Sequence, residues 1–302
     1  MSMLLSETVL FLMFLGVFAG TLAGLLGIGG GIIIVPALLW FYESGNVIPK
    51  DQTMQFALAT SLATICFTSI TSVHAHNKRG AVLWTTVLKL SPGIIIGALL
   101  GTYLARLLSS EFLVIFFGVF LLIVSLQMGL GAQPASSRNL PGWFGTSFIG
   151  LFIGVISALV GVGGGTLTVP FLTWCNAPVR SAIASSSAVG FFIAVAGAVG
   201  YAVDEHSTNV SFSSGYVYWP AVAGIVPTSL IFAPLGARLA HTIPVKLLKS
   251  LFSIFSAIIG IKLIMQSYPS VNTEVLIIHL HQVYNALHSY LFDLILSLGI
   301  TK

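Results

Sequence analysis

Eight apolar runs fill most of the chain between residues 8 and 266. Short polar segments separate the runs, which lie at 8–41, 54–73, 81–108, 112–131, 143–174, 181–203, 216–241 and 247–266. Charged residues make up 7% of the sequence, whereas a soluble domain carries about 25%. So few charges cannot form a water-facing surface, and about 20 apolar residues suffice to span a bilayer. The sequence therefore predicts an all-α polytopic membrane protein and argues against a soluble enzyme.

Two of these runs are too long for a single upright helix. Thr8–Phe41 and Trp143–Trp174 each exceed 30 residues, and a helix of that length outreaches about 30 Å of hydrocarbon. Each run contains a glycine cluster, Gly27–Gly31 in the first and Gly161–Gly165 in the second. Because glycine permits backbone bends that other residues resist, each run is predicted to be a pair of half-helices around a break.

The two halves of the sequence are copies of one another. Gly27, Pro36 and Trp40 recur 134 positions later as Gly161, Pro170 and Trp174. Ala57–Ser61 recurs 125 positions later as Ala182–Ser186, and Trp84 and Pro92 recur 135 positions later as Trp219 and Pro227. This internal duplication is a frequent property of transporters. It predicts a first transmembrane repeat over 1–131, an inter-repeat loop over 132–142, a second repeat over 143–266 and a C-terminal segment over 267–302.

Loop charges favour an inverted relation between the two repeats. Lys78 and Arg79 occupy one short loop, and the corresponding loop carries Asp204 and Glu205. Short loops rich in Lys and Arg stay on the cytoplasmic side, so the first loop is expected inside and its copy outside. Counting each broken run as two segments gives an odd number per half, which also inverts the second copy. Parallel repeats are the alternative.

The C-terminal segment has a different pattern. Over Val275–Leu298, apolar residues recur at helical spacing, while His281, Asn285 and His288 lie on the opposite face. Such an amphipathic helix is typical of the membrane interface. A ninth span packed against protein is the alternative.

The glycine breaks are the strongest candidates for a binding site. A half-helix that begins at a break directs its positive end and free N–H groups toward the middle of the membrane. Two breaks related by the repeat would then face one midplane site for an anion, with nearby hydroxyls as further donors. The predicted substrate-binding residues are Gly29, Gly30, Gly31, Thr60, Ser61, Gly163, Gly164, Gly165, Ser185 and Ser186. Close helix packing by the glycines, and hydroxyls bonded to their own helix, are the alternatives.

A few ionisable residues are candidates for proton or charge coupling. They are His74, His76, Lys89, Asp204 and His206. A charge inside an apolar run is costly and marks a functional candidate, although Lys89 and Lys262 can also extend toward the interface. Histidines near helix ends can relay protons or simply mark the interface. The sequence contains no ATP-binding phosphate loop, and it indicates no cofactor, metal site or catalytic residue.

The duplicated glycine block resembles one known family. Residues 27–36 read Gly-Ile-Gly-Gly-Gly-Ile-Ile-Ile-Val-Pro and residues 161–170 read Gly-Val-Gly-Gly-Gly-Thr-Leu-Thr-Val-Pro. With the Ala57–Ser61 stretch and the turn at His76–Trp84, this pattern is similar to the sulfite exporter TauE/SafE family over about Thr8 to Gln266. The resemblance implies transport of sulfite, sulfonates or other small organic anions across the inner membrane, driven by an ion gradient.

The expected function is therefore a secondary anion transporter that works by alternating access around a midplane site. Its expected partners are a small anion, a coupling ion for which we expect a proton, and the lipid bilayer, but no nucleic acid. A passive anion channel is the alternative. The sequence does not indicate which anion is carried, the direction of transport or the oligomeric state.

Overall fold

The fold was analysed in a computed structural model, which describes residues 2–26, 30–130, 140–203, 210–239 and 245–267. These residues form ten helices and one short hairpin. The first five helices are α1 (Ser2–Leu26), α2 (Gly31–Gly45), α3 (Thr53–Lys78), α4 (Trp84–Leu107) and α5 (Ser110–Gly129). The second five are α6 (Trp143–Val160), α7 (Gly165–Trp174), α8 (Val179–Ala202), α9 (Trp219–Leu239) and α10 (Val245–Gln266).

The helix lengths and compositions confirm a polytopic membrane protein. Within the described ranges, seven helices are long and apolar enough to cross a bilayer: α1, α3, α4, α5, α6, α8 and α9. Gly31–Gly45 and Ser250–Gln266 are shorter apolar helical stretches. Large apolar side chains such as Phe14, Phe144 and Leu130 are exposed on the outside of the bundle, where lipid rather than water is the compatible solvent.

Both long apolar runs are broken at their glycine clusters, as the sequence predicts. The second run ends one helix at Val160 and begins the next at Gly165. Gly161 and Gly164 have φ angles of 67° and 74°, in the left-handed region that favours glycine. In the first run, α1 ends at Leu26 and α2 begins at Gly31. The pair of half-helices in each run follows from these glycines.

The helices pack in pairs that cross between the two halves. α4 packs on α6 and α1 packs on α9, while α3 packs on α8 and α5 packs on α10. By the sequence repeat, helices α1 to α5 correspond in order to helices α6 to α10. Exchanging the two halves would therefore turn the α4–α6 pair into the α9–α1 pair. It would leave the α3–α8 and α5–α10 pairs unchanged. The pairing is therefore the one that a two-fold relation between the repeats would produce. The inverted orientation of the second repeat, and the proposed domain boundaries, stay predictions.

Two helices occupy the centre of the bundle. In the apolar stretches of α3 and α8, 61% and 67% of the residues are buried, whereas 28% are buried in those of α1 and of α9. Small residues bring the outer helices close to their partners, because Gly97 of α4 lies against the Leu151 backbone and Gly154 of α6 lies against the Ile94 carbonyl. The hydroxyl residues predicted to bind substrate lie on the two central helices, α3 and α8.

A short hairpin precedes α9, and the sequence did not predict it. Strand β1 (Ser213–Ser214) pairs antiparallel with β2 (Val217–Tyr218) around a turn in which Gly215 has a φ of 54°. Tyr216 at the turn packs edge-on against both Phe56 and Tyr201. The hairpin therefore fixes the start of α9 against the two central helices. Several predicted features lie outside the described residues: Gly29, Asp204, His206 and the amphipathic helix at Val275–Leu298.

Candidate functional site at the helix breaks

The two glycine breaks lie directly against each other. A Cβ atom placed on Gly31 would lie 2.5 Å from the Gly161 carbonyl oxygen and 3.0 Å from Val162 Cα. Ile65 of α3 lies beside both breaks, 3.2 Å from the Cβ position of Gly31 and 3.2 Å from that of Gly163. The structure thus brings together the two predicted glycine segments, which are far apart in sequence.

The half-helix after each break begins with the same hydrogen-bond pattern. The Gly30 carbonyl accepts the N–H groups of Ile33 and Ile34, and the Gly164 carbonyl accepts those of Leu167 and Thr168. Each glycine therefore stands immediately before a half-helix, α2 or α7, whose first turn carries partial positive charge. Gly31, Gly163, Gly164 and Gly165 are all buried, as is Gly30. Both half-helices therefore begin at buried glycines.

Ser61 connects the central helix α3 to the second break. Its hydroxyl donates a 2.8 Å hydrogen bond to the Gly161 carbonyl, which the end of α6 leaves without a helical partner. A hydroxyl has one proton to donate, so Ser61 cannot donate to a ligand while this bond is formed. In the observed arrangement Ser61 holds the break in place.

Thr60 and Ser185 hold the segments that begin α9 and α4. The Tyr218 N–H donates to Thr60 Oγ1 at 3.1 Å, and the Leu83 N–H donates to Ser185 Oγ at 2.9 Å. These two bonds occupy corresponding positions in the two repeats, and each bond joins one half to the other. Both hydroxyl residues are fully buried, and each hydroxyl accepts a part-buried backbone N–H from the other half. Sequence reasoning missed this bracing role.

The fourth hydroxyl residue, Ser186, behaves differently from its counterpart Ser61. Its side chain donates to the Ile183 carbonyl of its own helix at 2.8 Å, which is the local bonding that a mid-helix serine often adopts. The neighbouring Ser187 accepts a 3.1 Å hydrogen bond from Ser72. The two repeats therefore use equivalent serines in unequal ways.

Three further hydroxyls lie near the second break, and sequence reasoning missed them. Ser157 is in the last turns of α6, and Thr166 and Thr168 are near the start of α7. All three are buried, and their side-chain oxygens have no hydrogen-bond partner among the described residues. The signal was present in the sequence, since the repeat places Ala23, Ile32 and Ile34 at the corresponding positions of the first half.

The ionisable candidates lie at helix ends and not at the breaks. His74 is exposed and His76 is half-buried in the last turns of α3. Lys89, also half-buried, is about 8 Å along α4 from its first residue at a rise of about 1.5 Å per residue. A short connection joins these two helix ends. These three residues therefore belong to one end of the bundle, and their coupling role stays a prediction.

A cavity of about 980 Å³ opens at the loop between α2 and α3. Its lining comprises Asn46, Val47, Ile48, Pro49, Lys50, Val210, Ser211, Phe212 and Tyr218. Tyr218 also donates to Thr60 through its N–H, and Tyr42 Oη donates to the same Thr60 oxygen at 3.2 Å. The cavity therefore adjoins the bracing bond of Thr60 and is separate from the glycine breaks.

Comparison with known proteins decides the family. The sequence profile of sulfite exporter TauE/SafE matches residues 12–263, which is most of the chain. The chain belongs to the sulfite exporter TauE/SafE family. The resemblance of its duplicated glycine block is thereby confirmed, and the two breaks described above lie within the matched region.

Relatives in this family carry consistent names. The chain is 33% identical over 263 residues to a "Probable membrane transporter protein" of Haemophilus influenzae, covering 85% of this chain and 98% of the relative. It is 29% identical over 273 residues to the "Probable membrane transporter protein YunE" of Bacillus subtilis, covering 84% and 96% respectively. No solved structure matches the chain. The chain is thus a multi-pass membrane transporter.

Proposed function

We propose that this TauE/SafE family member is a secondary transporter that moves a small anion, such as sulfite or a sulfonate, by alternating access around the two helix breaks. One observation carries the proposal: the breaks meet at the centre of the bundle, where Gly31 lies against Gly161 beside Ile65. A midplane meeting of two discontinuous helices is the usual location of a transporter substrate site.

Electrostatics favours an anion at this location. An anion stripped of water near the midplane loses several kcal/mol of hydration even after relaxation. A full positive charge nearby would itself be costly in the membrane. Half-helix N-termini and neutral N–H donors supply partial positive charge, each contributing roughly 0.3–2 kcal/mol. Several such donors give modest and reversible affinity, which suits a carrier that must release its substrate.

The packing of the breaks suggests how access alternates. Gly31, Gly161 and the Ser61 hydroxyl form one buried contact, so an anion can enter only when these groups separate. The half-helices α2 and α7 are the elements that we expect to move. The bonds of Thr60 and Ser185 join the two halves, and they can transmit the separation to the starts of α4 and α9.

Coupling to a proton gradient is part of the proposal. The half-buried His76 and the exposed His74 lie at one end of α3, and histidines near helix ends can relay protons. Lys89 lies at the same end of the bundle and can attract the anion or respond to its passage. Asp204 and His206 would supply the corresponding groups in the second repeat.

The proposal is tested by uptake into proteoliposomes that contain the purified full-length protein. A panel of labelled oxyanions and sulfonates, including sulfite, sulfate and methanesulfonate, is presented with and without an imposed proton gradient. We expect one or a few of these anions to accumulate above equilibrium, and only when the gradient is present. Accumulation of none of them would overturn the anion assignment. Gradient-independent equilibration would overturn the coupling and support a passive anion channel.

A further inference from the structure

We infer that substrate binding is asymmetric and that the oxyanion is held at the second break by the hydroxyls of Ser157 and Thr168, at the N-terminus of α7. This inference rests on the proposed anion transport and deepens it. It replaces a symmetric site, shared equally between two breaks, with one polar pocket in the second repeat.

The two hydroxyls converge on one point. A Cβ atom at Gly164 would lie 3.5 Å from Thr168 Oγ1 and 3.6 Å from Ser157 Oγ, and Ile193 Cδ1 lies nearer still to the same position. The Ile193 side chain therefore covers the two hydroxyls, and an anion reaches them only when this side chain turns away. Gly164 is the residue immediately before α7, so this point lies at the positive end of that half-helix. Only 2% of Ser157 and none of Thr168 is exposed. Two buried oxygens therefore lie beside the end of a helix that attracts anions.

Neither hydroxyl uses the bond that its helix offers. Mid-helix Ser and Thr side chains commonly donate to a carbonyl three or four residues earlier. Thr173 of the same α7 does so, with bonds of 3.0 Å to the Val169 and Pro170 carbonyls. Ser157 Oγ and Thr168 Oγ1 have no partner among the described residues. A buried hydroxyl without a partner is costly, so a pair of them at one point indicates a ligand.

The first break lacks this chemistry. The repeat places Ala23 and Ile34 at the positions of Ser157 and Thr168. Neither side chain can donate a hydrogen bond, so the first break contributes close packing and its half-helix N-terminus only. Thr166, two residues before Thr168, lies about 200° around α7 at 100° per residue and is therefore on a different side of the helix. We do not include Thr166 in the pocket.

An anion fits these groups better than a cation. Helices α6, α7 and α8 contain no Asp or Glu, and carboxylates are common ligands of bound cations. The Gly161 carbonyl already accepts the Ser61 proton, and the Gly164 carbonyl accepts two N–H groups. The available donors are the two hydroxyl protons. An oxyanion such as sulfite has the acceptor oxygens to use both.

The test replaces each hydroxyl side chain by an apolar one, as the first repeat does with Ala23 and Ile34. Ser157→Ala and Thr168→Val remove the hydroxyls with little change in volume, and Thr173→Val in the same helix is the matched control. The thermal midpoint of the purified full chain is measured against increasing N-methylglucamine sulfite. We expect both pocket variants to weaken sulfite stabilisation at least about 10-fold in concentration, as loss of a hydrogen bond to a charged group predicts. Thr173→Val should retain the wild-type concentration dependence.

The outcomes separate this inference from the proposed function. Without sulfite, both pocket variants should be at least as stable as the wild type, because an unpartnered buried hydroxyl is replaced by an apolar group. If wild type responds to sulfite and both variants respond equally well, the pocket is wrong although anion binding stands. If sodium alone stabilises the wild type through these hydroxyls, the site binds a cation and the inference fails. A wild type that responds neither to sulfite nor to any other anion of the uptake panel would instead overturn the proposed function.

Discussion

The backbone N–H of Tyr218, just before α9, donates a 3.1 Å hydrogen bond to the hydroxyl of Thr60 on the central helix α3 of the other half. The Leu83 N–H makes the corresponding 2.9 Å bond to Ser185 on α8. Together these bonds connect the two repeats to each other at equivalent positions. They explain why a hydroxyl recurs at this position in both copies, independently of any contact with substrate.

Removing either acceptor should destabilise the transporter. Thr60→Val or Ser185→Ala removes the acceptor of a part-buried backbone N–H, and loss of such a hydrogen bond costs about 0.5–1.5 kcal/mol. We expect each variant to lower the free energy of unfolding by that amount, measured by denaturation in detergent. Thr64→Val is the matched control, because the Thr64 hydroxyl donates to the Thr60 carbonyl of its own helix. A Thr60→Val variant no less stable than Thr64→Val would refute the bracing role.

Two equivalent serines should respond unequally to the same substitution. Ser61→Ala removes the donor to the Gly161 carbonyl and leaves a buried acceptor unsatisfied, at a cost of about 1–3 kcal/mol. Ser186→Ala removes a bond within its own helix, and the helical carbonyl keeps its backbone partner. We expect the larger loss of stability and of transport in Ser61→Ala. Equal losses would mean that the Ser61 contact does not hold the break.

The glycines at the two breaks should differ in their tolerance to substitution. Gly164 has a φ of 74°, and a Cβ there would clash with Ile193. Gly30 has a φ of −63°, where an added Cβ would lie 3.2 Å from Ile34 Cδ1. Transport per inserted molecule should therefore fall much further in Gly164→Ala than in Gly30→Ala, and valine at either site should abolish it. Normal transport by Gly164→Val would make these glycines packing residues only.

The inverted orientation of the repeats predicts opposite labelling of two loops. In a background without Cys66 and Cys175, we expect Lys78→Cys to react with an impermeant thiol reagent only from the cytoplasmic side. Asp204→Cys, in the corresponding loop of the second repeat, should react only from outside. Accessibility is measured in right-side-out and inside-out vesicles. Labelling of both cysteines from one side would establish parallel repeats.

The membrane class and the helix breaks were predictable, because they depend on local sequence. Apolar runs longer than a bilayer require a break, and the glycines supply it at Gly161 and Gly164. The hairpin at Ser213–Tyr218 was not predictable, since strands of two residues are too short to show a period. Gly215 supports the turn, but the packing of Tyr216 against Phe56 and Tyr201 depends on the tertiary fold.

The roles of the hydroxyls depended on tertiary contacts and were beyond sequence reasoning. Thr60 and Ser185 bond to backbone groups in the opposite half, and no local pattern specifies such partners. Ser157 and Thr168 could have been noticed, because they depart from the apolar residues of the first copy. Reasoning from the similarity of the repeats concealed them, since the informative feature was the difference between the copies.

Counterflow tests the central claim, an alternating-access anion carrier at the helix breaks, most directly. Proteoliposomes are loaded with an unlabelled anion identified in the uptake panel, and the entry of the same labelled anion is followed. Gly164→Val is measured alongside at equal insertion. We expect the internal anion to accelerate labelled uptake in the wild type and Gly164→Val to abolish this uptake. Uptake that does not depend on the internal anion, or that is unchanged in Gly164→Val, would contradict an alternating-access carrier at the helix breaks.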